Sequence, residues 1–295
     1  MTHGSALAAD AIAAAAAELL ACGSVEMSAH RAADAQALAQ LLPSGTKVYV
    51  NHLPRNTLAQ TLEALRALRA LGLEPVPHIA ARRIASCAEL QGFLELASAQ
   101  AGVRKALVIG GDDPQPAGPY ADSLALLRDG ILARCGITEV GIAGYPEGHA
   151  RIPRAALEAA LHAKLQAAAA QGMGAYVVTQ FSFAPGRVIE YLSELARAAP
   201  ELPVYVGLAG PSDAATLLRY AQRCGVSASL RGLRAQGFGV VRLVTRTDPG
   251  EQLRALAQYC LGRPSCNVVG AHLFTFGGAA RSAEWMNRVI AGRMA

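Results

Sequence analysis

Short runs rich in valine and isoleucine alternate along almost the whole chain with longer segments in which apolar residues recur at helical spacing. This alternation is typical of repeated βα units, whose strands form a parallel sheet. Eight runs have the composition of strands, and eight parallel strands are enough to close a barrel. The predicted strands are Ser24–Met27, Lys47–His52, Pro75–Ala80, Lys105–Gly110, Glu139–Tyr145, Ala175–Phe181, Pro203–Leu208 and Asn267–Thr275.

The segments between these runs predict helices, several of which begin with good capping residues. An amphipathic helix over Ser5–Cys22 should precede the first strand. The interval 226–262 is too long for one βα step and predicts a helical insertion before the last strand, with helices at Leu230–Gln236 and Glu251–Leu261. The remaining predicted helices are Arg31–Leu42, Thr57–Leu71, Ser86–Gln100, Tyr120–Cys135, Pro153–Gln171, Pro185–Ala198, Ser212–Cys224 and Ala279–Ile290.

An open doubly wound sheet also alternates strands with helices, and it is the competing architecture. Such a sheet usually carries a GxGxxG turn after its first strand, whereas Glu26, Met27 and Ser28 occupy that place here. No linker rich in Pro, Gly or Ser divides the chain. We therefore predict a single α/β domain over residues 1–295, a (β/α)8 TIM barrel with an extra N-terminal helix.

The composition excludes several classes of protein. Hydrophobic residues make up 52% and charged residues 17% of the chain, which is enough apolar material for a large core. The net charge of +5 includes no basic run, so we expect no nucleic-acid partner. The small positive excess suits a polyanionic small molecule, although a solvated basic surface explains it as well. No apolar stretch approaches the roughly 20 residues that span a bilayer, and we expect a cytoplasmic protein without a membrane partner.

The sequence offers little for a metal or a disulfide. The cysteines have neither CxxC spacing nor a matched pair of histidines, and we expect them to be reduced thiols. Four histidines on different predicted strands make only a weak case for a metal site, and we predict none. The cysteines are Cys22, Cys87, Cys135, Cys224, Cys260 and Cys266, and the histidines are His52, His78, His149 and His272.

Polar residues at the carboxyl ends of the predicted strands are the candidates for a functional site, because ligands bind at that end of parallel barrels. His78 and His272 lie within apolar strands, where a histidine is more often a satisfied core residue. The candidates are Glu26, His52, His78, Asp112, Asp113, Tyr145, Glu147, His149, Gln180 and His272.

Two of these strand ends carry carboxylates. Glu26 follows Val25 in apolar surroundings, and a carboxyl group in such surroundings is suited to general-acid work. A cap on the next helix is the alternative. Gly110 and Gly111 permit a close approach of the backbone to a flat ligand or a phosphate. Asp112 could accept hydrogen bonds from a guanidine-like ring edge, whereas a helix-capping turn is the more common role of such an aspartate.

Two further strand ends combine polar and aromatic groups. Residues 145–149, Tyr-Pro-Glu-Gly-His, place an aromatic ring, an acid and an imidazole within five positions, which is dense for a plain turn. Gln180 is followed by Phe181 and Phe183, and an amide beside aromatic rings can bond the edge of a heterocycle and pack on its face. Core packing is the alternative for both phenylalanines.

These motifs occur in the order found in the methylenetetrahydrofolate reductases, and the chain resembles that family over nearly its whole length. Val25-Glu26 resembles the strand whose glutamate is the proton donor. Gly110-Gly111-Asp112 is similar to the family's Arg-Gly-Asp strand end near flavin and pterin. Other matching segments are the flavin-associated 145–149, the folate-binding Thr179-Gln180-Phe181, Pro77-His78 and the last strand, 271–275.

The resemblance implies reduction of 5,10-methylenetetrahydrofolate to 5-methyltetrahydrofolate with NAD(P)H, usually through bound FAD. It implies catalytic roles for Glu26 and Asp112. The residues implied to bind the tetrahydrofolate substrate are Gln180, Asp112, Phe181 and Phe274, and those implied to bind the cofactor are His52, His78, Gly110, Gly111, Tyr145, Glu147, His149 and Lys164.

The departures from the family pattern fall largely where flavin would be held. Gly110 replaces the arginine of Arg-Gly-Asp, and Lys164 is only a loose match to the basic residues of the fifth helix. Residues 182–184 and 276–278 also depart from the family's sequence. The pattern is closer to a divergent subgroup, some members of which work without flavin. Both FAD and direct hydride transfer therefore stay open, as do a pterin-dependent methyltransferase barrel and a folate-binding protein without catalysis.

Overall fold

Eight parallel strands form a closed barrel in which each strand lies beside its neighbours in chain order. The computed structural model describes residues 2–52, 56–223, 249–263 and 265–293. The predicted (β/α)8 architecture and all eight predicted strands are confirmed. The strands are β1 Ser24–Ser28, β2 Lys47–Asn51, β3 Glu74–Ala80, β4 Lys105–Ile109, β5 Glu139–Gly144, β6 Gly174–Thr179, β7 Val204–Ala209 and β8 Val268–Phe274.

Helices separate the strands and flank the chain, as the alternating pattern predicts. The opening helix and the insertion helix before the last strand are both present, whereas the predicted Leu230–Gln236 lies outside the described residues. A short 3-10 turn, Ala81–Arg83, follows β3. The helices are α1 Thr2–Ala21, α2 Ala32–Leu41, α3 Leu58–Ala70, α4 Cys87–Ala101, α5 Ser123–Asp129, α6 Ile131–Arg134, α7 Arg154–Ala169, α8 Pro185–Ala198, α9 Ala214–Arg223, α10 Gly250–Leu261 and α11 Ala279–Ile290.

The prediction of one helix over Tyr120–Cys135 is wrong. Asp122 caps the amino end of α5 by accepting a hydrogen bond from the Ala125 backbone N–H at 2.9 Å. Gly130 then adopts φ +81°, a left-handed conformation that ends one helix and cannot continue it. The apolar period continues through this break, and the sequence pattern alone therefore does not reveal it.

The chain divides into two compact units, each assembled from separate segments. The unit named here the Glu26 unit comprises Glu26–Gly144 and Pro153–Val178. The other, the Phe181 unit, comprises Met1–Val25, Tyr145–Ile152 and Thr179–Ala295. The assignment of residues 1–295 to a single domain stays a prediction.

In the Glu26 unit, an ion-pair ladder marks the amino ends of three neighbouring strands. Lys105 at the start of β4 lies 3.5 Å from the carboxylate of Glu74 on β3 and 3.4 Å from that of Glu139 on β5. The strand register pairs Lys105 directly with Glu139. These ion pairs lie at the amino ends of the three strands, and the polar residues of interest lie toward the opposite ends.

In the Phe181 unit, β7 pairs with β8, and α1 packs against α10 and α11. The apolar side of α1 is buried through Ala16, Leu19 and Leu20. Asn267 ties the starts of the two strands together, because its side-chain amide donates to the Leu202 carbonyl at 3.0 Å. None of the helices in the described residues is both long enough and apolar enough to cross a membrane.

Candidate functional site

Glu26 and His78 form a buried acid–imidazole pair in the Glu26 unit. Glu26 Oε1 lies 3.6 Å from His78 Nε2, and the two residues are 8% and 7% exposed. Glu26 belongs to β1, whose five residues are all buried, and His78 belongs to β3. A carboxyl group is costly to bury alone, and a polar imidazole beside it lowers that cost.

Tyr49 packs against the His78 ring of this pair. Its ring meets the His78 ring edge to face, with 5.8 Å between the centroids, and its hydroxyl donates to the Tyr176 hydroxyl at 2.9 Å. Tyr49 is fully buried, so its rotamer is held by packing on all sides. His78 therefore has a rigid neighbour that keeps its ring oriented relative to Glu26.

Two arginines after β3 fix the segment that follows β4. Arg82 donates to the backbone carbonyls of Asp113, Pro114 and Ala121 at 2.6–2.7 Å. Arg83 donates to the Asp113 carboxylate at 2.6 Å and to the His52 carbonyl at 3.0 Å. The Arg83 hydrogen bond holds the pKa of Asp113 below its ordinary value. The segment is thus connected through charged donors to the ends of β2 and β3.

The Gly110–Gly111 turn leaves Asp112 available for a ligand. Gly111 has φ +93°, which a glycine adopts without strain, and the Gly110 carbonyl accepts from the Arg82 backbone N–H at 2.9 Å. Asp112 is exposed and forms no ion pair or hydrogen bond with any residue that the structure describes. Of the two adjacent acids, Asp113 has a structural partner, whereas Asp112 has none within the described part of the chain.

His52 follows β2 and is 9% exposed. Burial lowers the pKa of His52, and the positive charge of Arg83 lowers it further. The imidazole is therefore neutral at neutral pH. Whether His52 contacts a cofactor stays a prediction, as does the same role for the neighbouring candidates in this unit.

Lys164 lies in the helix layer, in the middle of α7. Its pKa is lowered by burial, and the carboxylate of Asp122 at the start of α5 partly opposes that shift. Its surroundings are thus those of a lysine packed between helices, and the cofactor-binding role that the resemblance implies for it stays a prediction.

In the Phe181 unit, residues 145–149 form a tight turn in which two rings contact each other. The Gly148 backbone N–H donates to the Tyr145 carbonyl at 2.9 Å, and Gly148 has φ +76°. The Tyr145 and His149 rings meet edge to face with 5.6 Å between centroids. The Arg151 backbone N–H donates to His149 Nδ1 at 3.2 Å. Tyr145, Glu147 and His149 are half-buried and presented by one turn, as the motif predicts.

Gln180 comes directly after β6. Its side-chain oxygen accepts from the Phe181 backbone N–H at 3.2 Å, and its side-chain nitrogen donates to no residue among those described. Thr179 before it accepts from the Gly207 backbone N–H at 2.9 Å, and this bond fixes the end of the strand. The Gln180 amide is therefore held at its oxygen, while its N–H donors are available to a ligand.

An aromatic cluster surrounds Phe181. Phe181 is 1% exposed, and its ring centroid lies 5.2–5.7 Å from those of Phe183, Phe274 and Phe276, all in edge-to-face contacts. Its three partners are half-buried, and Tyr220 packs on Phe276 at 4.8 Å. Phe181 thus supports the rings around it, whereas Phe274 retains some exposed surface with which it could contact a substrate.

His272 is a core histidine, in agreement with the more common role of such residues in apolar strands. It is fully buried, its Nδ1 lies 2.8 Å from Ser24 Oγ, and its ring meets Phe274 edge to face. The described residues contain no group of three or more His, Cys, Asp or Glu side chains that could hold a metal ion.

Several residues that shape the site were not predicted from the sequence. Arg82 and Arg83 follow β3 as a basic pair, and their position after the carboxyl end of a strand could have identified them as candidates from the sequence. Tyr49 and Tyr176 looked like ordinary strand residues, and Phe276 carried no motif of its own. Phe276 has φ +51°, which is uncommon for a residue other than glycine.

These features define a parallel α/β barrel with a buried acid within its first strand and a turn that offers an exposed aspartate after its fourth. The sequence model of methylenetetrahydrofolate reductase matches residues 26–229, more than half of the chain, and the protein belongs to that family. The family assignment from the sequence motifs is confirmed.

Two solved structures are similar to this chain at low sequence identity. An uncharacterized protein from Clostridium thermocellum that binds two copies of 5-methyl-5,6,7,8-tetrahydrofolic acid has 11% identity and a TM-score of 0.60, over 91% of this chain and 95% of that one. The dihydropteroate synthase of Thermus thermophilus has 16% identity and a TM-score of 0.45, over 89% of this chain and 91% of that one.

Proposed function

We propose that this protein interconverts 5,10-methylenetetrahydrofolate and 5-methyltetrahydrofolate with NAD(P)H. Membership of the reductase family supports the reaction class, and the Clostridium thermocellum protein of similar fold supports a folate ligand. The observation that carries the proposal is the buried Glu26 carboxyl group beside His78, because the reaction requires an acid in this kind of environment.

The chemistry explains why an acid is needed. The methylene carbon bridges two nitrogens, and hydride can add only after one carbon–nitrogen bond breaks. A proton from Glu26 to the leaving nitrogen opens the five-membered ring and yields an iminium ion. Hydride from the nicotinamide then adds to the iminium carbon, and the product carries a methyl group. In the reverse direction Glu26 takes the proton back.

The remaining candidates would bind and orient the pterin. A carboxylate accepts two hydrogen bonds from an aminopyrimidine edge, and Asp112 is exposed on a turn that Arg82 and Arg83 hold in place. Gln180 offers amide donors, and Phe274 offers a half-buried ring on which a flat group can pack. Fixed orientation lowers the entropy cost of reaching the transition state.

The basic residues near the predicted cofactor positions do not suit the diphosphate of FAD well. Arg82 directs all three of its side-chain nitrogens, and Arg83 two of its three, to carbonyls and to the Asp113 carboxylate, which leaves little of either guanidinium for a diphosphate. Lys164 lies in the helix layer with its pKa lowered by burial. We therefore propose direct hydride transfer from NAD(P)H. We also propose that the enzyme is cytoplasmic, because thiols such as its free cysteines stay reduced in that compartment.

Two measurements on the purified protein test this proposal. The visible absorption spectrum reports bound flavin, and NADH or NADPH oxidation on addition of 5,10-methylenetetrahydrofolate reports turnover. A colourless protein that turns over is the expected result. A yellow protein with flavin bands would overturn direct transfer, and a protein that binds 5-methyltetrahydrofolate without turnover in either direction would overturn the reductase assignment.

A further inference from the structure

Two cysteines meet at the amino end of β8. Cys260 is in the last turn of α10, Cys266 precedes the strand, and their sulfur atoms are 3.0 Å apart. Two backbone hydrogen bonds fold the intervening segment: Arg263 N–H donates to the Cys260 carbonyl at 3.2 Å, and Cys266 N–H to the Arg263 carbonyl at 3.1 Å. The pair lies at the opposite end of β8 from Phe274.

The surroundings make one sulfur the better nucleophile. The hydrogen-bonded contact between the two sulfur atoms lowers the pKa of Cys266 to about 7, with the Val268 backbone N–H and the charge of Arg263 acting in the same direction and burial opposing it. The pKa of Cys260 is raised by the same contact. Arg263 is itself held over the Tyr259 ring, 5.0 Å from its centroid. Of the two thiols, Cys266 therefore ionises more readily.

The pair is also accessible to a small oxidant. Both cysteines are half-buried, and the residues between them include Leu261, which is 53% exposed. A disulfide requires an S–S distance of about 2.05 Å, so the sulfurs need to approach each other by only about 1 Å. A rotation of the side chains supplies a movement of that size.

We propose that Cys260 and Cys266 form a reversible disulfide when the protein meets a hydroperoxide. The Cys266 thiolate attacks one oxygen atom of hydrogen peroxide. The S–O bond forms, the O–O bond breaks, and the products are a sulfenic acid and hydroxide. The Cys260 sulfur then attacks the sulfenic sulfur, the S–S bond forms, and the S–O bond breaks. Hydroxide and the thiol protons leave as water. In total the two thiols lose two electrons and two protons, and one peroxide becomes two waters.

The disulfide would join the end of α10 to the start of β8. Asn267, the next residue after Cys266, already connects β8 to the segment before β7 through the Leu202 carbonyl. A cross-link at this point restricts the unfolded chain and stabilises the joint between helix and strand. We expect the oxidised protein to melt higher than the reduced protein, by on the order of 5 °C.

Mass spectrometry of the full-length protein tests the disulfide directly. Trypsin does not cut between Arg263 and Pro264, so both cysteines lie in one peptide, residues 255–281, which contains no other cysteine. After brief treatment with hydrogen peroxide and alkylation with N-ethylmaleimide, we expect this peptide to carry no label and to lack two hydrogens. Dithiothreitol before alkylation should restore two labels. Two labels after peroxide would overturn the proposal.

Single substitutions separate this pair from the other thiols. Cys266→Ser and Cys260→Ser should each abolish the peroxide-dependent rise in melting temperature, whereas Cys22→Ser, at an exposed cysteine of the same unit, should keep it. A rise that persists in both serine variants of the pair would also contradict the proposal. None of these measurements uses folate turnover, so a failure of the proposed function leaves the result interpretable.

Discussion

Glu26 and His78 lie on different strands, yet the carboxyl oxygen of the one is 3.6 Å from the imidazole nitrogen of the other, and both are nearly inaccessible to water. We propose that His78 is the neighbour through which the Glu26 proton is replaced after each turnover. On this proposal, a change in either residue should alter the chemical step more than the binding of folate.

The first prediction concerns the acid itself. Glu26→Gln keeps the shape of the side chain and removes the transferable proton, so kcat should fall by about 10²–10⁴-fold. The dissociation constant of 5-methyltetrahydrofolate, measured by calorimetry, should change little. Glu158→Gln on the exposed side of α7 is the matched control and should retain full activity. Unchanged turnover in the Glu26 variant would remove the acid assignment.

The second prediction concerns the positioning role of His78. His78→Asn leaves Glu26 in place and removes the imidazole, so kcat should fall by on the order of tenfold. The pH profile of kcat should also change shape, because the group that shares the proton is lost. A purely structural role would lower the melting temperature and leave that profile unaltered. The two outcomes are separated by measuring both quantities on the same preparation.

Much of the barrel was predictable from the sequence, because period and position carry the information. The alternation of strand and helix predicted β1 to β8, and the rule that ligands bind at carboxyl ends of strands selected Glu26 and Asp112. His272 was correctly weighed as a core residue, since an apolar strand surrounds it. These are features that one segment of the chain determines by itself.

The features that were not predicted depend on contacts and backbone angles that no local sequence pattern specifies. Arg83 contacts Asp113 across thirty positions of the chain, and no local pattern indicates that contact. The break at Gly130 depends on one backbone angle inside a continuous apolar period. Cys260 and Cys266 are close in the chain, but only the turns between them bring the sulfur atoms together.

The third prediction concerns the Arg83–Asp113 ion pair. Arg83→Met frees the segment after β4 from the end of β2, so Asp112 should be less well fixed and the KM for the folate substrate should rise more than kcat falls. The Asp113 side chain is 37% exposed, and solvent screening keeps the coupling energy between the two residues to about 1 kcal/mol.

A double-mutant cycle of Arg83→Met and Asp113→Asn measures that coupling from denaturant unfolding. Asp113→Asn alone should raise KM less than Arg83→Met, because the arginine also holds the His52 carbonyl. Equal KM values in the wild type and in both single variants would show that the ion pair does not position Asp112.

The last prediction is a pH dependence of stability from His52. Burial, followed by the charge of Arg83, lowers the pKa of His52 below its ordinary value of 6.5, so the folded state resists protonation of this residue. Above pH 6.5 the imidazole is neutral in both states, and its stabilising contribution is complete. As the pH falls below 6.5 the unfolded chain binds the proton first, and stability is lost.

The melting temperature of the wild type should therefore decline more steeply as the pH falls below 6.5 than that of His52→Gln, whose side chain does not titrate. His162→Gln, at an exposed histidine of α7, is the control and should retain the wild-type slope. Parallel curves for the wild type and the His52 variant would mean that the buried imidazole gains its proton as readily in the folded protein as in the unfolded chain.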